Sequence, residues 1–160
     1  MSKSKQRGFT IIEVALVLAV AALIFLVVFL AVPALQRNQR NDARRRDIAF
    51  VVQAVSSYTS NHNRLPTGNV DVENNTATTG WASHLIDGLS TNTQHVNVVA
   101  AAQALTVPAR GTINIVPGYT CGGAPGADPV PIPGGSSRSA AIIGVIETGR
   151  TTNERYCQSV

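Results

Sequence analysis

Apolar and polar positions follow three different rhythms along the 160 residues. Residues 14–32 are nineteen apolar positions in a row, the length that one membrane-crossing helix needs. Glu13 stands at the leading edge of this run and Pro33 at its far end. A proline there removes one helix hydrogen bond, which predicts a kink or a loosened turn. Residues 36–47 are polar all round, with Asp42 and Asp47 set among Arg37, Arg40, Arg44, Arg45 and Arg46. Ile48, Val51, Val52, Val55 and Tyr58 then recur at helical spacing, so the helix resumes and buries one stripe. It should fail around Asn61-His62-Asn63, because Leu65 precedes Pro66 and a residue before proline is pushed out of the α region. The pattern predicts one helix from Phe9 to about Asn61, on the order of 80 Å long at the α-helical rise. Only its second half can be covered by a folded head.

The remainder changes rhythm. Residues 81–89 (WASHLIDGL) suit a short helix ended by Gly88, whereas 96–105 (VNVVAAAQAL) fits strand or helix, an ambiguity inherent to short apolar runs. Residues 112–116 (TINIV), 140–147 (AAIIGVIE) and 155–160 (RYCQSV) read as strands, with 148–153 as a hairpin connection between the last two. Residues 122–135 (GGAPGADPVPIPGG) are rich in proline and glycine. No internal repeat is visible.

Charge adds one point. The chain has 13 basic against 9 acidic residues, but the excess flanks the apolar run, with Lys3, Lys5 and Arg7 before it and the arginine group after it. From Ile48 onward five arginines face six acids, so the head is near neutral and no specific nucleic-acid binding is expected of it. Basic residues flank the span on both sides, with arginine at least as dense on the far side as on the near side, so charge alone leaves its orientation open. Cys121 and Cys157 are too far apart for a CxxC redox motif or a zinc cluster. A disulfide in an oxidising compartment is the favoured reading, and two buried free thiols are the alternative.

The N-terminal basic residues and apolar run could be a cleavable secretory signal. The run exceeds the usual apolar core of such signals, and Glu13 lies where they are apolar. A signal anchor accounts for the length but leaves Glu13 unexplained. A carboxylate in a membrane helix costs about 2.5 to 3.5 kcal/mol, so it normally marks function; the bland alternative is a carboxylate at headgroup depth.

Lys3-Ser4-Lys5-Gln6-Arg7-Gly8-Phe9-Thr10-Ile11-Ile12-Glu13-Val14 resembles the class III signal of type IV pilins and pseudopilins: a basic leader, Gly, an aromatic residue, Glu four positions on, and a long apolar helix. Asp47-Ile48 followed by Tyr58, Asn61 and Leu65-Pro66-Thr67 is similar to the helix end of secretion-type major pseudopilins, and the cysteine pair is similar to the disulfide-bounded loop of many pilins. The resemblance implies an α+β fold in which a long N-terminal helix, membrane-spanning in its first half, packs by its second half against a small antiparallel sheet. It divides the chain into a leader (1–8), a transmembrane and filament-core helix (9–35), an amphipathic continuation (36–65) and a globular head (66–160) with a disulfide between Cys121 and Cys157.

The same resemblance implies a structural role. Prepilin peptidase would cut between Gly8 and Phe9 on the cytoplasmic side and methylate the new amine of Phe9. Glycine leaves the backbone open to a protease. The precursor would sit in the cytoplasmic membrane with its N-terminus cytoplasmic, and a platform protein and ATPase would assemble it into a homopolymeric surface filament. In that core the Glu13 carboxylate would need a partner, and the family implies the Phe9 amine of a neighbouring subunit, which sets the axial register. Motility, adhesion and DNA uptake are the implied outlets. A pseudopilin of a type II secretion or competence system is the alternative within the family, and a single-pass anchored binding domain the alternative outside it. Many pilins carry a glycine and a proline inside the span; here the span has no glycine, and its proline is displaced toward the head.

Other constellations are weaker. No catalytic, cofactor or metal motif such as HExxH, a phosphate loop or GxSxG is present, and His62, His84 and His95 are scattered. Asp71, Glu73, Asn74 and Asn75 could offer oxygens to calcium, but their spacing matches no known cage. Asn74-Asn75-Thr76 is a glycosylation sequon by pattern alone. The arginine run suits anionic headgroups, a solvated face or acids of neighbouring subunits. Trp81 reads as head core.

Overall fold

The computed structural model describes residues 8–74, 76–77, 81, 83–100, 106–123, 128–134, 136–149 and 153–160. The chain divides into two compact units, Met1–Asn38 and Gln39–Val160. One helix, α1 (Ile11–His62), contributes to both and runs through Pro33 without ending there. Proline removes a single helix hydrogen bond, and the turns on either side continue the helix past it.

In the first unit every large apolar side chain, from Phe9 to Leu35, is exposed. This stretch is long and apolar enough to cross a membrane. No single stripe is singled out because the sequence is apolar all round, as expected of a helix meant for lipid or for other helices.

In the second unit α1 becomes amphipathic. Asp47, Ile48, Val51, Val55 and Thr59 are buried, a stripe at spacings of three and four residues. They face a six-stranded sheet built from β1 (Val70–Asp71), β2 (Thr76–Ala77), β3 (His95–Val98), β4 (Thr112–Pro117), β7 (Ala140–Glu147) and β8 (Asn153–Ser159). A short helix, α2 (Ser83–Gly88), precedes β3. The hairpin of β5 (Tyr119–Gly122) and β6 (Val130–Pro133) forms a separate two-stranded sheet. The large sheet has the order β2-β1-β3-β4-β7-β8.

The α+β class follows the sequence expectation, with one departure in the sheet. β3 and β4 pair in parallel while the other pairs are antiparallel. The connection over 99–111 is long enough for the crossover that parallel pairing requires. Of the ambiguous 96–105 run, 95–98 is strand and 101–105 lies outside the described residues. The proline-rich 122–135 stretch carries the other surprise, since Val130–Pro133 pairs with β5. Pro131 and Pro133 are tolerated because β6 is an edge strand and proline lacks only a donor.

β7 shows why one run is continuously apolar: all eight of its residues are buried. Ala140 and Ile142 join Ile48, Val51, Val55, Ile113 and Ile115 in the main core. Ala141 and Ile143 face the other way, with Val116, Tyr119, Cys121 and Cys157, under the β5–β6 hairpin. A strand covered on both faces loses its alternation. Gly144 has a packing reason as well, because a Cβ there would strike the side chain of Ile48. Glycine at this position leaves room for the Ile48 side chain against the sheet.

Candidate functional site

The N-terminal candidates stand together at the start of α1. Among the described residues, chain neighbours aside, no atom lies within 4 Å of where a Gly8 side chain would begin, and Phe9 is 89% exposed. Residues 8–10 lie ahead of the helix, so the Gly8–Phe9 peptide bond is in open, non-helical backbone.

Thr10 caps the helix, a role not anticipated from the sequence. Its backbone N–H donates to Glu13 Oε2 at 3.0 Å, and its hydroxyl donates to the same oxygen at 2.9 Å. The Glu13 N–H in turn approaches Thr10 Oγ1 at 3.4 Å. This reciprocal arrangement is a capping box, which satisfies backbone donors that have no partner within the helix. The spacing Thr10-x-x-Glu13 is its sequence signal. Glu13 is therefore tied to its own chain through one oxygen, Oε2. Its other oxygen accepts no hydrogen bond among the described residues, and its charge lies at the helix end that favours anions.

The arginine run sorts itself by face. Arg40 Nη2 donates to Glu147 Oε2 at 2.9 Å, while Arg40 Nε is 3.4 Å from Oε1. Arg44 Nη1 lies 2.9 Å from Oε1 and brings a second positive charge to the same carboxylate. Asn41 completes the attachment by donating Nδ2 to the Glu147 carbonyl at 2.7 Å and accepting the Glu147 N–H at 2.8 Å. Arg45 faces Asp42 at 3.8 Å and lies over the Tyr156 ring, and Arg46 Nε donates to the Asp42 carbonyl. At least Arg40 and Arg44 thus hold the head to the helix.

The Arg40 hydrogen bond, helped by Arg44 against the opposing effect of burial, lowers the Glu147 pKa from 4.5 to about 2. A carboxyl depressed in the folded state stabilises it above the unfolded value, and the contribution is lost as pH falls from about 4.5 toward 2. The shift corresponds to about 3 kcal/mol. Denaturant titrations of the full chain in micelles at pH 6 and pH 2.5 should show wild type losing about 2.5 kcal/mol more stability than Glu147→Gln, with the remainder lost only at lower pH. Equal losses in the two proteins would contradict this account.

Asp47 makes a second buried polar joint. Its carboxylate accepts from Ser90 N at 3.0 Å, Ser90 Oγ at 2.6 Å and Thr93 Oγ1 at 2.6 Å, which satisfies a charge that burial would otherwise penalise. Cys121 and Cys157 are bonded, with Cα atoms 5.8 Å apart. Their bridge links the β5–β6 hairpin to β8.

Asp71, once a calcium candidate, accepts from the Asn74 backbone at 3.2 Å and side chain at 2.7 Å, which is a self-closed turn. Those bonds lower its pKa. Among the described residues no group of three His, Cys, Asp or Glu is placed to hold a metal. His95 lies 3.6 Å from Asp71, and His62 stacks on Tyr58 at 4.2 Å; the His84 side chain lies outside what is described. Trp81 donates to the Thr67 carbonyl at 3.1 Å and packs against the main core.

Residues 3–29 match the family model described as the prokaryotic N-terminal methylation motif. No curated protein and no solved structure matches the chain.

Proposed function

The methylation motif in this chain is the hallmark of type IV pilins and pseudopilins, and from that premise we propose that the chain is the structural subunit of a type IV pilus filament. A pilin-type motif indicates a structural subunit rather than an enzyme. It implies processing by prepilin peptidase and a membrane-anchored precursor that is later assembled at the surface.

The observation that carries the reading is the register of four features: motif, open Gly8–Phe9 bond, capped helix start and apolar run. Cleavage after Gly8 removes Lys3, Lys5 and Arg7, leaving 10 basic against 9 acidic residues. Phe9 then carries the free amine, which the same peptidase methylates. The apolar run at 14–32 packs against its copies without selecting an offset. Glu13 supplies the offset by pairing with the Phe9 amine of a neighbouring subunit, because a charge in an apolar core is stable only when paired.

The motif is common to pilins and pseudopilins, so a pseudopilin of a type II secretion or competence system remains within the same reading. An anchored binding domain does not, since it would be neither processed nor polymerised. Mass spectrometry of the mature protein should find an N-terminal peptide that begins at Phe9 and is heavier by one methyl group. A mature chain that still begins at Met1 would end the proposal.

A further inference from the structure

The filament reading makes no use of a cavity beside the parallel strands. Pairing of β3 with β4 sets Asn97 directly alongside Asn114. Ile113 and Ile115 join the main core under α1, so Asn114, between them, faces the opposite side of the sheet. Asn114 is only 7% exposed. Neither its side-chain amide nor that of Asn97 makes a hydrogen bond to any described residue. Both line a cavity of about 470 Å³, within the usual range of small-molecule sites.

The chemistry of the walls narrows the ligand. Asn69 and Thr112 add neutral polar groups, and Val99 and Pro108 add apolar surface. Asn69 is held in place, since its Oδ1 accepts the Val98 N–H at 2.9 Å. Among the described residues no charged side chain lines the cavity, so an anion meets no cation among them, and a cation no carboxylate. Each asparagine amide offers two donor hydrogens and one acceptor oxygen, and neighbouring strands hold them about 4.8 Å apart. A hydroxyl group can answer both functions, because it donates and accepts at once. Adjacent hydroxyls on one ring can therefore engage both amides, while the C–H face of the ring lies on Val99 and Pro108. Neither amide has a protein partner in the cavity among the described residues, so a ligand that meets both can take the place of water there.

We propose that this cavity binds a neutral sugar residue, held by the paired amides of Asn97 and Asn114. The site is independent of how the N-terminal helix is processed or assembled.

The test uses the full ¹⁵N-labelled chain in micelles of a sugar-free detergent, titrated with glucose, galactose and N-acetylglucosamine, with inorganic phosphate as control. At least one sugar should give saturable shifts centred on the amides of Asn97, Val98 and Asn114, and phosphate none. Asn114→Ala should weaken binding about tenfold or more, the effect of losing one well-made hydrogen-bonding group. If that buried substitution disturbs the β7 and β8 signals, the half-buried Asn97→Ala carries the same expectation. Absence of saturable shifts with all three sugars up to about 50 mM would overturn the proposal. So would binding indifferent to Asn97→Ala, or the same shifts produced merely by raising protein concentration, which would assign the cavity to a second copy of the chain.

Discussion

Glu13→Ala is expected to lower filament yield on the order of a hundredfold or more while leaving cleavage after Gly8 intact. Two effects combine in that substitution. The first is local, because the Thr10 N–H and hydroxyl lose the oxygen that receives them at 3.0 and 2.9 Å. Loss of a helix cap costs about 1 kcal/mol. The second is expected in the proposed filament, where Glu13 would be one partner of a buried charge pair and its removal would cost about 3 to 5 kcal/mol. Only the second is large enough for the expected loss.

Glu13→Gln separates them. Glutamine serves as well as glutamate at this position of a capping box, so the helix start survives while the charge is gone. It should assemble almost as poorly as Glu13→Ala. Thr10→Ala, which breaks the cap but keeps the carboxylate, should lose far less. Filament yield measured against processed subunit decides the matter: wild-type assembly by Glu13→Gln would reduce Glu13 to a helix cap and remove its register role.

The Cys121–Cys157 bridge should have the largest effect on the stability of the head. It joins residues 36 apart in sequence, and closing a loop of that length stabilises by about 4 kcal/mol in the chain-entropy model. Replacing both cysteines by serine should therefore lower Tm by about 15 °C. The loss should also have a location. Among the described residues β5 and β6 form a two-stranded sheet of their own, and an isolated two-stranded hairpin is marginal in water. It is retained by the bridge, by the Cys121 N–H donating to Ser159 Oγ at 2.7 Å, and by packing over Val116, Ala141 and Ile143. Hydrogen exchange should accordingly rise first in 119–122 and at Val130 and Ile132, with Val51 and Val55 remaining protected in the α1 core. Uniform loss of protection, or a Tm change of only a few degrees, would show that the hairpin is held chiefly by packing.

Sequence and structure agree most closely where a single local rule governs. The amphipathic stripe from Ile48 to Tyr58 and the strands at 112–116 and 140–147 were legible because burial imposes a period or a continuous apolar run. Thr10 was equally legible but is hidden by a stronger neighbour: the same Glu13 that marks the membrane helix also completes the Thr10-x-x-Glu13 box. The pairing of β6 with β5 was obscured by Pro131 and Pro133, since proline argues against a strand until its position at an edge is known.

The sequence by itself determined the long helix, its apolar first half and the processing motif in register with it. Each depends on residues within a few turns of one another. Tertiary structure alone decided which arginines turn inward to Glu147, 107 residues from Arg40, and that Asp47 meets Ser90 and Thr93. It also decided that β3 runs parallel to β4 and thereby brings Asn97 beside Asn114. These outcomes depend on which distant segments share a face of the sheet, and no local period encodes that choice. The energy selecting it comes from long-range burial and paired charges, which exist only once the chain has closed on itself.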